Sequence, residues 1–133
     1  MSRQIFVNLP VADLARTTSF FTALGFEFDP RFTDEDATSM VAGDGIYVLF
    51  LTRPSFESFT DVDLSDATKA TEVIVALSAK SRDEVDDLVA KAQALGATAV
   101  REPEDHSYMY SHGFRDLDGH IWEFVWMDPH TGP

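Results

Sequence analysis

The sequence predicts an α+β fold built from two βαβββ modules, and three observations carry that prediction. The first is an internal repeat. Val7-Asn8-Leu9-Pro10 is answered by Val75-Ala76-Leu77-Ser78, Ala23-Leu24-Gly25 by Ala94-Leu95-Gly96, and Asp44-Gly45 by Asp118-Gly119. The second is the order of hydrophobic periods in each copy: a short strand-like run, a stretch at helical spacing, then three more short runs. The third is size. At 133 residues the whole chain is one domain, whereas each half alone is too small to fold with confidence, so the halves are expected to share a core or a cleft. The expected organisation is a single domain over 1–133, with module one at 4–52, a linker loop at 53–70 and module two at 71–127.

Taken in order, Ile5 to Leu9 is an apolar run closed by Pro10, a first strand. Asp13 is placed to cap a helix running from Leu14 to Leu24, which Gly25 stops. Phe26 to Asp29 alternates as a second strand, and Asp34-Glu35-Asp36 reads as a charged turn. Thr38 to Ala42 is the third strand. Gly43-Asp44-Gly45 then leads into Ile46 to Thr52, an almost wholly apolar fourth strand expected to be covered on both faces. Arg53 to Thr71 reads as a long irregular stretch whose Phe56 and Phe59 cover something apolar.

The second copy starts with a strand over Glu72 to Ser78. Ser81 and Glu84 form a capping-box pattern ahead of Val85, Leu88, Val89, Ala92 and Leu95 at helical spacing, and Gly96 closes that helix. Thr98 to Arg101 reads as a strand, Pro103 to Ser107 as a polar loop and Tyr108 to Arg115 as a strand. The turn Asp118-Gly119 opens the last strand, where Ile121, Glu123 and Val125 share one face and Trp122, Phe124 and Trp126 the other. Glu123 is thus a carboxylate among large apolar neighbours. Left buried and unpaired it would cost several kcal/mol (order of magnitude), so it must be paired, hydrogen-bonded, metal-bound, protonated or open to water.

Composition narrows the function. A net charge of −13 disfavours nucleic acid and is compatible with a cationic ligand. The absence of cysteine rules out a disulfide framework or a thiolate metal site. With no basic-then-apolar leader and no run long enough to span a bilayer, a soluble cytoplasmic protein without membrane contact is expected.

Val11-Ala12-Asp13-Leu14, the two Leu-Gly helix ends, Asp116-Leu117-Asp118-Gly119-His120-Ile121-Trp122-Glu123 and the following Trp126-Met127-Asp128-Pro129 resemble the vicinal oxygen chelate superfamily. That group includes glyoxalase I, extradiol dioxygenases, and fosfomycin- and bleomycin-resistance proteins. The closing motif is similar to a branch called glyoxalase-like. The resemblance implies curved mixed sheets enclosing a cavity, completed in a homodimer. Metal-using relatives place His or Glu ligands on the first and fourth strands of each module. Carried over, those positions fall on Phe6, on Phe50 (or Leu49 with a slip of one), on Ile74 and on Glu123. Only Glu123 is a ligand type, so no metal and no cofactor is expected.

The remaining site candidates are Asn8, on the face of Phe6; Glu72, on the face of Ile74; and His112, the one histidine expected in the pocket. Glu123 is also the candidate catalytic residue, because a carboxylate in an apolar cavity has a raised pKa suited to acid–base work. A carboxylate tied to Arg115 or to backbone donors is the structural alternative. The leading expectation is a homodimeric, metal-independent binder of a cationic or aromatic small molecule. The competing one is a lyase, isomerase or dioxygenase-like enzyme using Glu123 as base or a divalent metal on Glu72, His112 and Glu123. A third is a partner-binding domain contacting through the 53–71 loop.

Overall fold

The computed structural model describes residues 2–130 and divides the chain into two compact units that part between Leu64 and Ser65. In the first, β1 (Ile5–Val11), α1 (Leu14–Ala23), β2 (Glu27–Asp29), a 3-10 turn (Pro30–Phe32), β3 (Ala37–Gly43) and β4 (Ile46–Thr52) are followed by the short α2 (Arg53–Glu57). In the second come β5 (Ile74–Ser78), α3 (Arg82–Ala94), β6 (Thr98–Ala99), β7 (Glu104–His106), β8 (Met109–Arg115) and β9 (Ile121–Met127).

Each unit is a mixed sheet, ordered β1-β4-β3-β2 in one and β5-β9-β8-β6 in the other, where β7 also pairs with β8. The first strand of each unit lies parallel to its last, Ile5 beside Ile46 and Ile74 beside Ile121; the other pairs are antiparallel. A parallel pair needs a crossover, and the helix after each first strand lies on that path. The α+β class and the repeated strand plan expected from sequence are therefore present.

The helices form because their caps and apolar spacing agree. Asp13 accepts from Arg16 N at 3.1 Å and Ser81 from Glu84 N at 3.1 Å, each satisfying a free N–H of a first turn. Glu84 completes its box one residue early, accepting from Lys80 N at 2.9 Å. In the first unit Thr17, Phe20, Phe21 and Leu24 bury against Met40, Val48 and Phe50, with Phe21 stacked on Phe50 at 5.2 Å. In the second, Val85, Val89 and Ala92 bury over β8 and β9, where Phe114, Trp122 and Phe124 are almost wholly buried. Burying each such side chain contributes about 1.5–3 kcal/mol, which makes these helix-facing stripes the main source of stability.

Four local expectations need correction. The 53–71 stretch is not wholly irregular: Thr52 caps α2, accepting from Ser55 N at 3.4 Å, and Pro54 fits its first turn. Residues 104–106 form β7 rather than a loop. Glu72 precedes β5 and is exposed instead of sharing a strand face with Ile74. β6 ends at Ala99, which releases Arg101 from the ladder. Among the described residues no helix is long and apolar enough to cross a membrane.

Candidate functional site

Strand parity decides which side chains reach the sheet face away from each helix. On β4, Val48 and Phe50 point at α1, so Tyr47 and Leu49 point the other way. Register sets Phe6 beside Tyr47 and Asn8 beside Leu49 on that same face, with Ser39 across from Leu49. Phe6 and Tyr47 stack nearly parallel, centroids 5.2 Å apart. Together with Leu49, Gln4 and Ser39 they wall a pocket of about 260 Å³.

The rim of that pocket is Asp29, Arg31 and Phe32. Asp29 ends β2 and caps the 3-10 turn, accepting from Arg31 N at 3.0 Å. Its two oxygens also receive Arg31 Nε at 3.1 Å and Nη2 at 2.8 Å, a bidentate pair. The Arg31 guanidinium beside it holds the Asp29 carboxyl below its usual value. The same guanidinium lies over the Phe32 ring, 5.4 Å from its centroid.

In module two the matching face carries different chemistry. Gly45 and Gly119 open β4 and β9 alike, so Leu49 and Glu123 hold the same place, four residues after each glycine. Glu123 sits beside Ala76 on β5 and Gly113 on β8. Its carboxylate is taken by Arg101, which also donates to the Glu102 carbonyl at 3.0 Å and to Ser111 Oγ at 3.4 Å. The buried-charge problem posed by the sequence is thus solved by an ion pair, with the two side chains 20% and 38% exposed. The partner is Arg101 and not Arg115; Arg115 reaches Thr71 Oγ1 at 3.5 Å.

The sequence-predicted residues therefore separate. Phe6 lines the pocket. Asn8 lies on the same face, exposed, its amide donating to the Phe6 carbonyl at 3.2 Å. Phe50 does not face the pocket; it is fully buried against Phe21, and the slip of one residue puts Leu49 there instead. Ile74 is 51% exposed on β5 and shares the Glu123 face. His112 does not share it. Its register partner is Phe124 on the helix-facing side, and its Nε2 lies 3.2 Å from the Arg101 carbonyl. Glu72 lies outside the strand.

Sequence reasoning missed Arg101, Asp29, Arg31 and Phe32. An acid and an arginine two apart, at the end of a strand and flanking a proline, were the available signal for the rim pair.

In module two a buried carboxylate, Asp116, organises the turn before β9. Asp116 accepts from Asp118 N at 2.9 Å, His120 N at 3.0 Å and Trp122 Nε1 at 2.9 Å. Burial pushes its carboxyl above the usual value, opposed by the nearby His120 and by these hydrogen bonds. The result is a latched turn that fixes where β9, and hence Glu123, begins. Among the described residues no three His, Cys, Asp or Glu side chains gather as a metal-ion site would require.

The fold matches solved structures along nearly its whole length. A hypothetical protein from S. aureus is 30% identical with a TM-score of 0.79, covering 95% of this chain and 95% of its own. A glyoxalase/bleomycin resistance protein/dioxygenase family enzyme from Burkholderia phytofirmans is 16% identical (TM-score 0.77; 95% and 99% covered). The fosfomycin resistance protein FosX from Listeria monocytogenes is 18% identical (TM-score 0.68; 98% and 97% covered). No curated protein matches. A family profile matches residues 3–124, from the strand that carries Phe6 to the one that carries Glu123, and the chain accordingly belongs to the Glyoxalase/Bleomycin resistance protein/Dioxygenase superfamily.

Proposed function

We propose that this protein binds a small, flat organic molecule, aromatic or cationic, on the aromatic face of module one, without a divalent metal. The observation that carries this reading is the pocket walled by the stacked Phe6–Tyr47 pair and Leu49, at the place where module two keeps its carboxylate. Aromatic walls with few polar groups suit a planar ligand. The donor set argues against a metal: Phe6, Leu49 and Ile74 offer no hard ligand, and the Glu123 carboxylate is occupied by Arg101. For the same reason Glu123 is assigned a charge-balancing place and not that of a free base.

The net charge of −13 supports a small-molecule partner over nucleic acid. A homodimer in the cytoplasm completes the reading, and sedimentation at micromolar protein tests the dimer. The binding test is equilibrium dialysis against flat aromatic compounds, comparing wild type with Phe6→Ala. Phe6 is 53% exposed, so its loss leaves the core intact. The expected result is binding weakened about tenfold or more in the variant, from lost stacking area. No binding by wild type at high micromolar concentration would sink the reading, as would stoichiometric metal retained through Glu123.

A further inference from the structure

The ion pair on the rim of the module-one pocket is lopsided. The Asp29 side chain is 12% exposed and that of Arg31 is 79% exposed. Asp29 is held from below as well, by the Arg31 backbone N–H it caps at 3.0 Å. Arg31 instead approaches from the solvent side and rests on Phe32, a ring 62% exposed. Of the two charges, the carboxylate is fixed at the pocket and the guanidinium is free to leave. The pair is bidentate, so a ligand must replace both of its hydrogen bonds, but the guanidinium that leaves stands mostly in water already and is readily rehydrated.

We propose that Asp29 is the anchor for the positive group of an aromatic cation, and that Arg31 is an internal stand-in which this ligand displaces. The inference rests on the reading that the module-one pocket takes a flat molecule, and it adds the sign and the seat of the ligand's charge. The ring lies against Phe6 and Tyr47, and the cation takes the two oxygens that Arg31 vacates. The cation gains twice, from the carboxylate and from the surrounding ring faces, Phe32 included. Arg31, turned outward, returns to water. The net charge of −13 draws cations toward the protein and repels anions.

Three probes of similar shape separate the possibilities: N-methylquinolinium, its uncharged isostere methylnaphthalene, and the anion naphthoate. Dissociation constants are measured for wild type, Asp29→Asn, Arg31→Gln and Phe6→Ala, each checked by circular dichroism. Asparagine keeps an oxygen to cap the 3-10 turn, so Asp29→Asn retains the fold. Wild type is expected to prefer the cation over the neutral probe and the neutral probe over the anion. Asp29→Asn should weaken the cation about tenfold and leave methylnaphthalene unchanged. Arg31→Gln, which removes the internal competitor, should tighten the cation by about threefold. If cation and neutral probe bind alike in all rim variants and both are lost in Phe6→Ala, the pocket stands and the proposal falls. Tightest binding by naphthoate, lost in Arg31→Gln, would make Arg31 the anchor and also overturn it. No binding by any probe removes the underlying reading, and the proposal with it.

Discussion

On the sheet face away from its helix, module one presents Phe6, Tyr47 and Leu49, whereas module two presents Ile74, Ala76 and Glu123 with Arg101 drawn across it. Both sheets set the first strand parallel beside the last and the turn glycines match, though module two adds β7 beside β8 and only β3–β4 carries a register shift. One face is left apolar and concave while the other spends its single carboxylate on an arginine. The difference teaches that a repeated scaffold fixes where side chains point and leaves open what they are, so function on this fold is decided residue by residue. The asymmetry extends below the surface. Across from Leu49 stands Ser39, but across from Glu123 stands Gly113. Three residues before Gly45 stands Ala42, but three before Gly119 stands the latched Asp116.

The largest effect should come from giving module two the side chain that module one tolerates. A Cβ on Gly113 would lie 2.2 Å from the Trp122 carbonyl oxygen, a backbone atom that cannot step aside. Gly113→Ala should cost about 3 kcal/mol or more, while Ser39→Ala should cost about 1 kcal/mol or less. Denaturant titration of both variants checks the contrast, and equal costs would break it.

The Asp116 latch comes next. Asp116→Asn keeps one acceptor atom where three donors converge and should cost about 1–3 kcal/mol at acid pH, the cost shrinking toward neutral pH. Because the folded-state pKa of Asp116 is raised, the folded chain holds that proton more tightly than the unfolded one. Its contribution is therefore fully present below the usual carboxylate value and is lost as pH rises through the raised one. The asparagine variant should lose that acid-side slope. Denaturation midpoints measured across the acid range decide it, and an unchanged slope would assign the pH dependence elsewhere.

The smallest effect sharpens the comparison most. Replacing both Glu123 and Arg101 by leucine transplants the module-one surface onto module two. With the arginine 38% exposed, a double-mutant cycle should give a coupling of about 1 kcal/mol or less. A coupling several times larger would mean that the pair is sealed from water and that the second face is a structural seam.

The sequence carried the fold because repeats, caps and turn glycines are local signals that tertiary contacts here only reinforce. The site was harder to read. Period-two patterning gives a strand two faces without saying which is inward, and an apolar run such as Ile46 to Leu51 is apolar on both. Phe50 and Leu49 were therefore indistinguishable until α1 claimed Phe50. His112 failed on the same count, since its aromatic neighbours on β8 marked the helix-facing core and not a pocket. Arg101 was invisible for a different reason. It was assigned to a strand whose ladder stops at Ala99, and only the early ending lets it fold back to Glu123. The Asp29–Arg31 pair needed the 3-10 turn at Pro30 to bring both side chains to one rim.

The parallel pairing of first and last strands also sets an order of events during synthesis. Among the described residues β1 pairs with β4 alone and β5 with β9 alone, so the earliest strand of each sheet waits until the last has been made. Every strand of the first sheet has been made once Thr52 is added, before synthesis reaches β5 at Ile74. Module two has no such lead: until β9 emerges, β5 and β8 have nothing between them. A chain stopped short of Ile121 would therefore carry every strand of the first sheet but a β5 without its partner, which makes the aromatic last strand the one that joins β5 to β8.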